Sequence, residues 1–288
     1  MIELSHIHKS FNETEVIKGI DLKINQGEVV TLIGRSGSGK TTLLRMINAL
    51  EIPTEGTVYV NGMTYTAKDK KSQIKVRQQS GMVFQNYNLF PHKSALENVM
   101  EGLITVKKMN KATANEEAMN LLAKVGLVHV KDQRPHALSG GQQQRIGVVR
   151  ALAAEQDIIL MDEPFGALDP ITRDTLQDLV KELQQKLGKT FIFVTHDMDE
   201  AIKLADKICI MSKGKVVQYD TPDNILRYPA NDFVRDFIGQ NRLIQDRPNM
   251  KSVESAMIKP VTVKADDSLN DAVNIMRTRR VDTIFVVN

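Results

Sequence analysis

The chain has 288 residues, 42% of them hydrophobic, which is long enough for one large domain with a smaller one beside it. Its formal charge of +3 is small beside 38 basic and 35 acidic residues, so charge gives no indication of a nucleic-acid partner. One cysteine, Cys209, excludes an internal disulfide framework, and without a signal-like start or an apolar run of roughly 18 residues we expect a cytosolic protein that reaches a membrane only through partners.

The first part of the chain has the alternating pattern of short strands. Residues 2–7 and 16–24 alternate apolar and polar positions, and residues 57–62 are typical of a strand that runs into a turn. Between these segments, residues 29–33 form a continuous apolar run of the kind found in buried parallel strands. The pattern predicts the strands of an α/β domain.

A glycine-rich loop follows that apolar run and leads into a helical stretch over residues 43–50. Its residues are Gly34, Arg35, Ser36, Gly37, Ser38, Gly39, Lys40, Thr41 and Thr42, which match G-x-x-x-x-G-K-[S/T] between a strand and a helix. Glycines let the backbone wrap phosphates, Lys40 neutralises the β- and γ-phosphates, and the Thr41 hydroxyl is a Mg²⁺ ligand. A Gly/Ser turn with a solvated lysine is the alternative, but the strand–loop–helix context favours binding of a nucleoside triphosphate.

The middle of the chain is predicted to be a mostly helical insertion over residues 86–150. Residues 68–77 are polar and basic and indicate a surface loop or helix face, and residues 81–85 indicate a buried strand that ends in the amide of Gln85. Residues 86–91 are loop-like, and residues 94–127 have helical spacing and composition.

A second anion-binding helix start lies within this insertion, at residues 138–145. Ser139 is a natural N-cap, and Gly140 and Gly141 allow backbone amides to approach a ligand closely. The positive end of the helix dipole makes such a start attractive to an anion. The sequence therefore has two candidate phosphate-binding loops.

Carboxylates and a histidine follow two further apolar strands. Asp162 and Glu163 come after residues 158–161, at the strand end where α/β folds place ligands, and His196 ends the run 191–196. An Asp-Glu pair alone is more often a turn or helix-start feature, and a lone histidine is more often structural. Beside a phosphate loop, Asp162 can hold Mg²⁺, Glu163 can orient and polarise an attacking water, and His196 can reach the γ-phosphate.

The remaining elements of this region follow from local signals. Asp169 and Pro170 suit the N-cap and first position of a helix that runs to about residue 187. Residues 201–205 are predicted to be helical, and residues 207–211 and 216–219 flank a turn at 212–214.

Taken in order and spacing, these motifs resemble those of the ATP-binding subunits of ABC transporters over residues 1–240. The set comprises the phosphate loop, Gln85, Leu138 to Gln142, Asp162-Glu163, Leu168-Asp169 and His196. The resemblance implies a P-loop NTPase with an N-terminal antiparallel β subdomain, a RecA-like core and an inserted α-helical subdomain. It also implies that the chain hydrolyses ATP with Mg²⁺.

The resemblance assigns roles to matching positions. Phe11 corresponds to the aromatic that stacks on adenine, although a single aromatic is equally compatible with a core position. Gln85 corresponds to a residue that binds Mg²⁺ or water and also senses the membrane subunit. Glu163 corresponds to the catalytic base, Asp162 to the acid beside Mg²⁺, and His196 to the γ-phosphate switch.

The resemblance also accounts for the second loop through a homodimer. Two copies are expected to pack head to tail, with each ATP between one phosphate loop and the partner's Ser139, Gly140, Gly141 and Gln142, and with Asp169 at the interface. ATP binding closes such a dimer and hydrolysis loosens it, and the helical insertion passes this motion to multi-span permease subunits. A solute-binding protein acts indirectly, no nucleic acid is involved, and the subunit lies on the cytoplasmic face of a bacterial membrane.

Two branches of importer are indicated by different parts of the chain. Residues 68–92 resemble ATPases of polar amino-acid importers, whereas residues 147–154, 163–174, 195–201 and 233–246 resemble those of quaternary-amine osmoprotectant importers, which carry glycine betaine, carnitine, choline or proline. The leading hypothesis is osmoprotectant import, and the alternative is amino-acid import. A non-transport ABC ATPase is remote, because there is one cassette, no long coiled coil and no basic arm.

The end of the chain supports the osmoprotectant branch. After a linker over residues 241–252, residues 253–288 resemble the start of a CBS domain, with a strand, a helix over 269–279 and a second strand. These elements are too few to close a CBS domain, so we expect an open sheet edge there.

Overall fold

The structure is a computed structural model that describes residues 1–166, 168–243, 262–264, 267–279 and 285–287. The chain divides into two compact units, residues 1–244 and 245–288. Most of the predicted linker over residues 241–252 lies outside the described residues.

The first unit contains two sheets and a set of packed helices. Its strands are β1 (Ile2–Phe11), β2 (Thr14–Ile24), β3 (Val29–Gly34), β4 (Glu55–Val60), β5 (Met63–Thr64), β6 (Ser80–Val83), β7 (Ile158–Asp162), β8 (Thr190–Thr195), β9 (Lys207–Ser212) and β10 (Lys215–Asp220). Its helices are α1 (Lys40–Ile47), α2 (Lys70–Gln78), α3 (Ala95–Thr105), α4 (Lys111–Lys124), α5 (Gly140–Ala153), α6 (Pro170–Leu187), α7 (Met198–Leu204), α8 (Pro222–Arg227) and α9 (Asp232–Ile238).

The N-terminal strands form an antiparallel sheet in the order β2-β1-β4-β5. The alternating pattern of β1 and β2 buries Ile2, Leu4 and Ile20 while the intervening polar side chains face outward. This is the antiparallel β subdomain that the sequence predicts.

The central sheet has six strands in the order β10-β9-β3-β8-β7-β6. Strands β6, β7, β8, β3 and β9 run parallel to one another, and β10 pairs antiparallel with β9. Every residue of β3, β7 and β8 is buried, which explains their continuous apolar sequences. Because these strands are parallel, their carboxyl ends bring the phosphate loop, Asp162 and His196 to one edge of the sheet.

The helical insertion lies between β6 and β7. The segment with helical spacing, residues 94–127, contains α3 and α4, which are separate helices because Lys108 has a φ of 57° and Asn110 caps α4. Ser94 and Glu97 form a capping box that starts α3. Helices α3, α4 and α5 share an apolar core that includes Leu103 and Leu122.

Two other helix boundaries also shift from the sequence expectation. Helix α1 begins at Lys40 within the phosphate loop, because Gly39 adopts a left-handed conformation that turns the chain directly into the helix. It ends at Ile47, because Ala49 has a φ of 54°. Helix α7 begins at Met198, where the Asp197 side chain accepts hydrogen bonds from the first turn.

The second unit shows a strand–helix–strand arrangement. Strand β11 (Thr262–Lys264) pairs in parallel with β12 (Phe285–Val287), and α10 (Leu269–Arg279) connects them. The predicted helix over 269–279 has the same bounds as α10. The assignment of this segment to a CBS domain stays a prediction. Across the described ranges of both units, none of the helices has the length and apolar character needed to span a bilayer.

Candidate active site

The phosphate loop joins β3 to α1 at the carboxyl edge of the central sheet. Gly39 caps α1 with a φ of 100°, and a Cβ there would lie 2.5 Å from Cδ1 of Ile17. At Gly34 a Cβ would lie 2.2 Å from the carbonyl oxygen of Met211. These two positions therefore require glycine, which lets the loop curl tightly in front of the helix. Backbone amides at such a helix start are suited to an anion.

Lys40 points its ammonium group back across this loop. Its Nζ donates hydrogen bonds to the carbonyl oxygens of Gly34 at 2.9 Å and Arg35 at 3.1 Å. Burial lowers the pKa of Lys40, and the carboxylates of Glu163 and Asp162 act in the opposite direction. The ammonium group is thus held inside the loop, where its hydrogen bonds can change from these carbonyls to phosphate oxygens.

Asp162 and Thr41 form a pair of oxygen donors beside the loop. The Thr41 hydroxyl donates a hydrogen bond to Oδ1 of Asp162 at 2.9 Å. Asp162 is only 1% exposed, and burial raises the pKa of its carboxyl. Within the described residues no group of three or more His, Cys, Asp or Glu side chains could hold a metal. The pair fits Mg²⁺, which binds hard oxygens and is commonly shared between one or two protein ligands and substrate phosphates.

Glu163 is the point where the predicted catalytic side chains meet. Its Oε2 accepts a hydrogen bond from Nε2 of Gln85 at 3.3 Å, and its Oε1 lies 3.6 Å from Nδ1 of His196. Its backbone has a φ of 49°, in the left-handed region. The backbone amide of Glu163 donates to the Val194 carbonyl at 2.9 Å, which ties this unusual conformation to β8.

The side chains of Lys40, Thr41, Gln85, Glu163 and His196 face one cavity of about 360 Å³, and Asp162 is not among its lining residues. It is lined by Val16, Ser36, Gly37, Gly39, Lys40, Thr41, Thr42, Gln85, Glu163 and His196. The cavity combines a phosphate-binding loop, a cation and a carboxylate at one opening. Such an arrangement can hold a polyphosphate and polarise a water molecule beside it.

The second predicted phosphate loop does not line this cavity. Ser139 instead caps α5 in a reciprocal pair with Gln142, whose side chain accepts from the Ser139 amide at 2.9 Å. The amides of Gly140 and Gly141 lie in the first turn, where a helix has no acceptor of its own for them. Asp169 caps α6 and accepts from the Thr172 amide at 3.1 Å, as predicted for a helix start.

Phe11 is also not among the residues that line the cavity. It ends β1 with 42% of its surface exposed, and Nζ of Lys9 lies 4.7 Å from the centre of its ring. It is therefore not a core residue. An exposed ring at the end of a strand remains accessible for stacking against a flat ligand.

Sequence reasoning missed two side chains that contact the site from behind. Gln144, on α5, donates from Nε2 to the carbonyl oxygen of Glu163 at 3.3 Å. Arg173, on α6, lies beside Asp197 and Glu200, which follow His196. The helical pattern placed both residues on helices, but it contains no signal for partners on distant strands.

Comparison with known proteins gives the family. The ABC transporter family model matches residues 17–166. The chain belongs to the ABC transporter family. The fold class predicted from the sequence is confirmed, because solved ABC cassettes share this architecture. The expected ATP-binding role within a transport family is confirmed with it.

Relatives from two kinds of importer resemble all or most of this ABC ATPase. It is 50% identical to the carnitine transport ATP-binding protein OpuCA of Listeria monocytogenes, over 100% of this chain and 72% of the relative. It is 48% identical to a probable amino-acid ABC transporter ATP-binding protein of Haemophilus influenzae, over 84% of this chain and 96% of the relative. Both predicted branches of resemblance are therefore confirmed.

A solved structure resembles the first unit. The dimeric ATP-binding cassette MJ0796, in a post-hydrolysis state bound to ADP and Pi, superposes with a TM-score of 0.72 at 36% identity. The match covers 77% of this chain and 99% of that cassette. The dimer and the bound nucleotide are properties of that cassette.

Proposed function

We propose that this chain is the ATP-hydrolysing subunit of an importer for quaternary-amine osmoprotectants of the glycine betaine, carnitine and choline type. The observation that supports ATP hydrolysis is the carboxylate of Glu163, held between Gln85 and His196 at the cavity of the phosphate loop. The observation that supports the cargo is the 50% identity, over the full chain, to a carnitine transport ATP-binding protein. Carnitine carries a quaternary ammonium group.

The phosphate loop, residues 34–42, binds ATP, and its Lys40 neutralises the β- and γ-phosphates. Thr41 and Asp162, together with Gln85, hold Mg²⁺, which neutralises phosphate charge when bound. Glu163 accepts the proton of the attacking water as general base, and Gln85 fixes one oxygen of that carboxylate. His196 contacts the γ-phosphate, and Phe11 stacks on the adenine.

Two copies of the chain form the complete site. Ser139, Gly140, Gly141 and Gln142 of one subunit face the γ-phosphate bound by the other subunit, and Asp169 contacts the partner. The position of these residues outside the cavity of their own chain supports this assignment. The dimer works on the cytoplasmic face of the membrane with multi-span permease subunits, and a solute-binding protein delivers the cargo.

Substitution of the carboxylate tests the catalytic part of the proposal. We expect Glu163→Gln to lower ATP turnover by roughly 100-fold or more, because a general base contributes about that much, while ATP binding persists. Glu182→Gln is the matched control, since Glu182 is exposed on α6 and pairs with Lys186. ATP turnover that persists in Glu163→Gln would show that this carboxylate is not the base.

Mixing two inactive variants tests the shared site. Lys40→Ala removes the phosphate-loop cation and Ser139→Arg blocks the second loop, so each variant alone is expected to be inactive. Mixed in equal amounts, they form heterodimers in which one site is intact, and about a quarter of wild-type activity is expected if subunits pair at random. Mixtures that stay inactive while dimers form would contradict the shared site.

Transport assays separate the two cargo candidates. Amino-acid import is the second candidate, supported by 48% identity to the probable amino-acid ABC transporter ATP-binding protein of Haemophilus influenzae. The chain is reconstituted in vesicles with the multi-span subunits that copurify with it, and uptake of labelled carnitine is compared with that of labelled glutamine. Uptake of glutamine alone would replace the first candidate by the second. If no multi-span protein copurifies, the transport role itself is contradicted.

A further inference from the structure

Arg173 joins two loops that border the candidate active site. It lies near the start of α6, and its Nη2 donates a hydrogen bond to the carbonyl oxygen of Leu168, next to Asp169, at 3.3 Å. Its Nη1 lies 3.7 Å from Oδ2 of Asp197, and its Nε lies 3.8 Å from Oε1 of Glu200. One guanidinium group therefore contacts the loop before α6 and the segment that follows His196.

Hydrogen bonds connect the residues on either side of His196 to Glu200, which lies beside the Arg173 guanidinium. The hydroxyl of Thr195 donates to Oε2 of Glu200 at 2.6 Å and accepts from the backbone amide of Asp197 at 3.0 Å. Glu200 is only 8% exposed, so its carboxylate depends on these contacts and on Arg173 for its partners. The backbone before and after His196 is thus fixed through Glu200.

Arg173 lines a small cavity together with Glu163 and His196. The cavity has a volume of about 40 Å³, and Glu200 also lines it. A displacement of the Leu168 carbonyl therefore moves a cation that lies against the histidine segment. Because the guanidinium is planar and rigid, it transmits such a displacement more directly than a flexible side chain would.

We propose that Arg173 is a positioning residue that couples the loop carrying Asp169 to His196, so that contact with the second subunit sets the histidine for hydrolysis. This inference rests on the proposed function, which gives Asp169 its partner contact and His196 its role at the γ-phosphate. Arg173 itself is not among the residues that line the cavity of about 360 Å³ at the phosphate loop.

The test measures ATP turnover and ATP binding separately in the full chain. We expect Arg173→Gln to lower kcat about tenfold while KM and the Kd for ATP change less than twofold, because the phosphate loop is untouched. Arg173→Lys is expected to recover part of kcat, since an ammonium restores charge beside Asp197 and Glu200 but does not reach three partners at once. Lys181→Gln is the control on α6, where Lys181 bonds the Lys203 carbonyl.

A second variant makes the test independent of the first. Glu200→Gln keeps an acceptor for the Thr195 hydroxyl and removes the charge that faces Arg173, so it is expected to lower kcat in the same way. If both residues act in one unit, the double variant Arg173→Gln/Glu200→Gln has the kcat of the slower single variant. Should Arg173→Gln fail to fold, Arg173→Lys and Glu200→Gln carry the comparison.

Three results would overturn the inference. The first is a kcat within twofold of wild type in Arg173→Gln or in a folded Glu200→Gln. The second is a double variant whose loss of kcat is the product of the two single losses. The third is a loss of ATP affinity as large as the loss of kcat. A wild-type chain that binds ATP without hydrolysing it would contradict the proposed function instead, so the two failures are distinguishable.

Discussion

Glu163 combines a catalytic assignment with a costly backbone conformation, and the cost can be measured. Its φ of 49° lies in the left-handed region, which a residue with a Cβ enters at a cost of roughly 1–2 kcal/mol. We compare Glu163→Ala with Glu163→Gly. Both variants lack the carboxylate and the contacts with Gln85 and His196, so they differ only in the Cβ.

The expected difference follows from two opposing terms. Glycine removes the conformational cost of roughly 1–2 kcal/mol, but its freer unfolded chain costs about 0.4–1 kcal/mol on folding. Glu163→Gly is therefore expected to be more stable than Glu163→Ala by about 1 kcal/mol. For a chain of this size that corresponds to a difference in Tm of about 2 °C. Neither variant is expected to hydrolyse ATP.

The assay is urea and thermal unfolding of both variants in the same buffer, and circular dichroism monitors the unfolding. Glu182, an exposed residue within α6, provides a matched control at a helical backbone position. There the order reverses, and Glu182→Ala is expected to be more stable than Glu182→Gly by about 1 kcal/mol. If Glu163→Ala equals or exceeds Glu163→Gly in stability, the backbone at this position is not strained and the reasoning is wrong.

Three further predictions concern the core, the thiol and a helix cap. Phe191→Ala is expected to destabilise the chain by about 3–5 kcal/mol in urea unfolding, because its ring is fully buried and lies 6.0 Å from that of Phe193; a loss below 1 kcal/mol would contradict this packing. Burial raises the pKa of Cys209 to about 12, so a thiol reagent at pH 8 is expected to react about a thousandfold more slowly than after unfolding, and equal rates would refute its burial. Ser94→Ala removes the capping box with Glu97 and is expected to cost about 1 kcal/mol without changing ATP turnover; a fall in kcat would implicate α3 in catalysis.

Local signals explain why much of the fold could be predicted from the sequence. Asp169 followed by Pro170 defines the start of α6, because a short acceptor side chain and a preset φ both favour a helix N-terminus. The apolar run of β3 marks a strand covered on both faces, and the glycines and Lys40 after it identify the phosphate loop. The parallel strand ends then bring Asp162 and His196 to the same edge.

The remaining features depend on contacts between residues far apart in the sequence. The bond from Gln144 to the Glu163 carbonyl and the contacts of Arg173 with Leu168 and Glu200 arise only when the helices pack on the sheet. No proline or glycine marks the division between α3 and α4, so the sequence indicates helical character over residues 94–127 without giving the position of the break. The assignment of Ser139 to a second subunit's nucleotide stays a prediction, since it concerns a contact between two chains.

The ammonium group of Lys40 has a consequence for which anions the loop accepts. Its bonds to the carbonyls of Gly34 and Arg35 make the loop a built-in competitor for its own cation. An arriving phosphate can replace both carbonyls as acceptors of the ammonium, whereas a single chloride ion can occupy only one of these acceptor positions. A nucleoside triphosphate supplies several phosphate oxygens from one molecule, so the exchange is favourable without a loss of hydrogen bonds. The resting loop thereby favours an anion with several oxygens over a monatomic one.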